Sequence, residues 1–162
     1  MALERKGYFR MALWEIPLRK KVLKVLLLLA FAGFTGAAPA EEIRIIAPES
    51  IEYKTDANVP GVSFAVLSGN PKQGTYTVRV KIAPNAKLAP HYHPDARTVT
   101  VMAGTYYFAE GESFDDAVLR GYGPGTVIVV PAGKAHFAAA RDDGATVQES
   151  GPGPTAHMPV KR

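Results

Sequence analysis

The chain has 162 residues, with 19 Lys and Arg against 15 Asp and Glu, four histidines and no cysteine. That length suits one ordinary domain, and the lack of cysteine excludes disulfides, thiolate nucleophiles, iron–sulfur clusters and cysteine-ligated zinc. The basic surplus is confined to residues 1–40, with seven basic and two acidic groups; residues 41–162 hold 12 and 13, leaving no basic face for nucleic acid.

In chain order, the first feature is a positive stretch, Arg19-Lys20-Lys21-Val22-Leu23-Lys24, followed by an apolar run from Val25 to Phe34 and the small residues of Ala38-Pro39-Ala40. This pattern predicts a signal peptide over 1–40 with cleavage before Glu41, and Met11 is an alternative start. The apolar run is about half of the roughly 20 residues that a span needs. The expectation is therefore a secreted or periplasmic protein with no stable membrane anchor after processing.

Beyond Ala40 no helical period stands out. Short β-rich runs are predicted at 43–47, 62–67 and 75–83. In the last, Tyr76, Val78, Val80 and Ile82 alternate with polar residues as on a half-buried strand. Residues 98–103 and 105–109 flank Gly104 and read as a hairpin. Further runs lie at 126–130, 136–140, 145–148 and 157–160, and 114–119 has room for one helical turn. Strands at this spacing, separated by Gly and Pro turns, predict a single all-β antiparallel domain over 41–162, a barrel or sandwich. An exposed edge strand at 43–46 would serve pairing into a homodimer.

Three histidines carry the chemistry. His91 and His93 are two apart at a strand end, so both rings can face one cavity. Pro90 and Pro94 restrict the backbone around them. His136 follows Pro131-Ala132-Gly133, far enough along for its strand to return beside the first. Three imidazoles suit a divalent metal and leave positions open for water or substrate. The fourth, His157, stands alone near the C-terminus and reads as structural. Glu110, Glu112, Asp115 and Asp116 read as a solvated acidic loop, and Tyr106, Tyr107 and Phe108 as packing residues.

These residues resemble the two motifs of the cupin superfamily. His91-Tyr92-His93, Arg97 and Gly104 align with the first motif; Gly125, Pro131-Ala132-Gly133 and His136 align with the second. The motif core spans about 75–150, and the chain is most similar to the small single-domain cupins that resemble the sensor domains of anti-sigma factors. The resemblance implies a jelly-roll β-barrel with a metal ion at its mouth on His91, His93 and His136. Iron, zinc, manganese, nickel and copper all remain open. It implies no single reaction.

This chain departs from the first motif at Arg97, where most cupins carry a metal-binding Glu, and from the second at Ala140 in place of Asn. A monocation about 6 Å from a dication meets roughly 5 kcal/mol of repulsion at an effective dielectric near 20. Arg97 must therefore turn outward, pair with a carboxylate such as Asp95, or meet an anionic ligand. On the last reading Arg97 is the candidate catalytic residue, clamping a carboxylate. The expected function is binding of, or action on, a small polar or anionic molecule, as in a metal-dependent oxygenase or isomerase. The alternatives are a non-catalytic sensing module and a degenerate cupin without metal.

Overall fold

A computed structural model describes residues 42–161; the signal peptide expected over 1–40 lies outside them. Eleven strands form in chain order: β1 Lys54–Thr55, β2 Val62–Gly69, β3 Tyr76–Ile82, β4 Lys87–Tyr92, β5 Arg97–Gly104, β6 Tyr106–Glu110, β7 Arg120–Tyr122, β8 Val127–Val130, β9 His136–Ala139, β10 Ala145–Gly151 and β11 Met158–Pro159. They build two antiparallel sheets. One has the order β1-β2-β3-β10-β5-β8, the other β11-β4-β9-β6-β7. The only helical segment among the described residues is a 3-10 turn, Pro48–Ser50.

The alternation read in the sequence is the packing pattern. Tyr76, Val78, Val80 and Ile82 of β3 are buried while Thr77 and Arg79 lie between them, half-buried. They join Val99 and Val101 of β5, Val147 of β10, Leu88 of β4, Tyr106 of β6 and Ala138 of β9 in one core drawn from both sheets. The fold is the all-β antiparallel architecture expected.

Four local expectations are corrected. Residues 98–103 and 105–109 do not form a hairpin: β5 pairs with β10 and β8, whereas β6 pairs with β7 and β9. Gly104 is where the chain passes between sheets. Its φ is 69°, and a Cβ there would stand 2.2 Å from the Gly144 carbonyl oxygen, so only glycine fits. Residues 43–47 form no strand, and Ile43 and Ile45 are almost fully exposed. Their hydrophobicity is not matched by a neighbour to pair with, so no strand edge exists at 43–46 to support the expected homodimer. Residues 114–119 form a turn without a helical segment, and Phe114 packs on Phe137 instead. Of 157–160 only Met158–Pro159 pairs, with β4.

The acidic loop is solvent-facing as expected, with exposed ion pairs from Glu110 to Lys134 and from Asp116 to Lys87. Such pairs add little stability.

Candidate metal centre

β4 and β9 bring the histidines together. His91 and His136 are direct partners across the antiparallel ladder. Between Leu88 and His91 the register shifts, so three steps along β4 answer two along β9. This bulge resets the side-chain parity and lets Leu88 and His91, three residues apart, both be buried. Pro90 sits within it, where a missing N–H is tolerated. His93 lies one residue past β4. Its carbonyl accepts a 2.8 Å hydrogen bond from the Gly133 N–H, which ties the Pro131-Ala132-Gly133 turn to the end of the His-Tyr-His segment.

The candidate ligand atoms of His91, His93 and His136 all lie within 4.8 Å of one another. Each ring is held from behind. Nδ1 of His91 lies 2.7 Å from the Ala89 carbonyl oxygen, that of His93 2.7 Å from Ala156, and that of His136 2.9 Å from Lys134. A carbonyl only accepts, so in each ring the proton sits on Nδ1 and the Nε2 lone pair is free. That is the tautomer a metal ligand needs, set by the carbonyl behind it. Charge agrees. Burial, then the neighbouring His136 and His157 rings, lowers His91 to about 2. Burial, then the Arg97 guanidinium, lowers His93 to about 3. Burial also lowers His136. Three neutral imidazoles with converging lone pairs fit a divalent cation.

His157 comes closer than the sequence suggested. Carried over the rim by the segment leading into β11, its ring stacks on that of His91 at 4.1 Å between centroids. It is not part of the three-nitrogen cluster, but it lines the same cavity.

Arg97 is buried in the wall of the same cavity. One terminal nitrogen donates to Glu149 Oε2 at 2.7 Å. The other donates to Asp95 Oδ1 at 2.8 Å and to the Thr155 hydroxyl. Tyr76 donates its hydroxyl proton to the second Asp95 oxygen at 2.6 Å. Burial would raise the Asp95 pKa; hydrogen bonds from Thr155, Tyr76 and Arg97 together with the guanidinium charge outweigh it and hold the carboxyl below its usual range. Of the fates open to Arg97 in the sequence, pairing with Asp95 is the one found, and a second carboxylate, Glu149, joins it. Both arms of the guanidinium are therefore engaged within the protein. The repulsion expected beside a metal is met by two anions.

Sequence reasoning passed over Glu149. On β10 it continues the inward parity of Ala145 and Val147 and lies opposite Val78 and Val99. A carboxylate at an inward, valine-flanked position was the available signal. The cavity has a volume of about 260 Å³ and is lined by the three histidines, Arg97, Tyr106 and Glu149 among others. It suits a small ligand. Tyr106 packs in the core as expected of its segment and also lines this wall, while Tyr107 lies under the Arg141 guanidinium.

Fold and site together define a small β-barrel with a three-histidine centre that could hold a metal ion. The family model described as the ChrR cupin-like domain matches residues 41–147, and the chain belongs to that family of cupins. Germin-like protein 5-1 of Oryza sativa subsp. japonica is 40% identical over 67 residues, covering 40% of this chain and 29% of that protein. The chain thus spans under a third of that relative's length. The polyketide cyclase RemF from Streptomyces resistomycificus is similar in fold, with a TM-score of 0.63 at 15% identity over 75% of this chain and 87% of that one. Bacillus subtilis oxalate decarboxylase, a protein with Mn(II) centres, gives a TM-score of 0.53 at 14% identity over 69% of this chain and 31% of that one.

Proposed function

We propose that this protein is an exported metal-binding cupin that binds a small polar molecule, and acts on it, at His91, His93 and His136. One observation carries the reading: all three Nδ1 atoms lie against backbone carbonyls, so all three Nε2 lone pairs are committed to the cavity. Histidines retained only for packing have no need of that common tautomer. A divalent ion bound there would polarise a ligand oxygen as a Lewis acid. The chain's own part is to fix the rings, to hold them neutral by burial, and to close the base of the cavity with valines. The Mn(II) centres of a fold neighbour support a metal in such a barrel; its identity here stays open among iron, zinc, manganese, nickel and copper. The basic and apolar pattern of residues 1–40 supports export to the periplasm or beyond.

The test is reconstitution of the purified chain with each of these metals, followed by elemental analysis and oxygen uptake with a panel of small polar compounds. Stoichiometric metal together with oxygen uptake supports an oxygenase. Stoichiometric metal with no uptake and no change in any compound would leave a binding module. Absence of metal under every condition would refute the reading.

A further inference from the structure

The proposed function leaves open what the cavity recognises, and Arg97 invites the idea of an anion. The contacts point the other way. Both terminal nitrogens of Arg97 are taken by Glu149, Asp95 and Thr155, and its Nε, which has no partner, is buried away from solvent and so out of a soluble anion's reach. An anion would have to displace a carboxylate already in place. Asp56 and Glu149 line the cavity and Asp95 backs Arg97, so three carboxylates offset the guanidinium together with a divalent ion on the neutral histidines.

Glu149 itself is unusual. It projects from the inward face of β10 between two buried valines, Val78 and Val99. Arg97 holds its Oε2 at 2.7 Å. Among the described residues the carboxylate's one hydrogen bond is that on Oε2, and the side chain, 16% exposed, lines the cavity with the histidines. One oxygen is thus anchored and the other is left without a protein donor.

We propose that Glu149 is the ligand-recognising carboxylate of this site, that Arg97 is its positioning residue, and that the ligand is a neutral or cationic hydrogen-bond donor rather than an anion. The claim rests on the metal reading above and deepens it. An anchored carboxylate accepts a charge-assisted hydrogen bond from an N–H or O–H. The same charge repels an anion approaching the histidine centre. Arg97 occupies the position where the family motif usually has a carboxylate, and it holds in the cavity a carboxylate supplied by another strand.

The experiment uses the full chain loaded with cobalt(II), read by its visible spectrum. Two probes bind the ion differently: imidazole is neutral and offers a free N–H, whereas azide is an anion with no hydrogen to donate. Glu149→Gln is expected to weaken imidazole by about tenfold, the worth of a charge-assisted hydrogen bond. It is expected to tighten azide by about tenfold, because a like charge leaves the cavity. Glu149→Asp keeps the charge but withdraws the oxygen, so imidazole weakens while azide stays as in wild type. Arg97→Lys keeps a cation without the fork and should loosen imidazole as Glu149→Asp does. A purely structural Glu149 would weaken both probes together, which would overturn the proposal, as would cobalt binding with neither probe changed. Failure of wild type to take up cobalt would overturn the metal reading, and this inference with it.

Discussion

Replacing Arg97 by Met tests how the buried charges are balanced. Met approximates the length of the side chain and removes the cation. The Arg97 side chain is 4% exposed and touches Asp95 and Glu149 at 2.8 and 2.7 Å. Removing one partner of a buried pair leaves an uncompensated charge, at a cost of about 3–5 kcal/mol. Urea unfolding followed by circular dichroism reads this directly. With a slope of about 2 kcal/mol per molar, the midpoint falls by about 2 M at pH 7. The pH dependence has a definite sign. In wild type the Asp95 pKa is depressed, so its contribution is present above the unfolded value of about 3.9 and is lost as pH falls through the lower folded value. Without the guanidinium, burial is opposed only by the Tyr76 and Thr155 hydroxyls, and the carboxyl shifts upward. Acidification then protonates it in the folded state and relieves the variant. The deficit relative to wild type should therefore shrink as pH falls through the variant's raised value toward the wild type's depressed one. A deficit below about 1 kcal/mol, as for an exposed pair, or one that grows on acidification, would refute the reasoning.

The remaining predictions concern the ligands, the turns and the leader. His91→Ala, His93→Ala and His136→Ala should each lose most bound metal by elemental analysis while retaining the β-sheet circular dichroism spectrum; undiminished metal in all three would move the site elsewhere. Gly133→Ala and Gly104→Ala share a left-handed φ near 70°, but the new Cβ meets open space at Gly133 and the Gly144 carbonyl at Gly104. Gly133→Ala should cost about 1–2 kcal/mol and Gly104→Ala clearly more in the same urea assay; equal costs would mean that the close approach does not matter. Intact-mass measurement of exported protein should find Glu41 at the N-terminus, and a retained leader would contradict export with cleavage.

What could be read from the sequence followed from periodicity. β3 alternates cleanly, so its inward set was legible residue by residue. β4 was not, because Pro90 interrupts it and the bulge before His91 breaks the parity that any period-two reading assumes. Only its end was inferred, from the His-Tyr-His spacing. The hairpin at Gly104 was misread because two strands joined by one glycine look alike whether they pair or part; the partners that decide it, β10 and β9, lie about 40 residues on. The histidines were legible because strand geometry puts i and i+2 on one face and the Pro131-Ala132-Gly133 turn marks the return. Arg97 was recognised as the odd residue, and its local partner Asp95 was foreseen. Glu149 is 52 residues away, and only the pairing of β10 with β5 brings it there.

Cobalt(II) titration of the full chain with X-ray absorption at the metal edge tests the central claim most directly. The account predicts about one ion per chain, with imidazole nitrogens of His91, His93 and His136 at about 2.0–2.1 Å, and loss of that signal in the triple alanine variant. An ion that binds without imidazole scattering, or that binds the triple variant equally well, would contradict it.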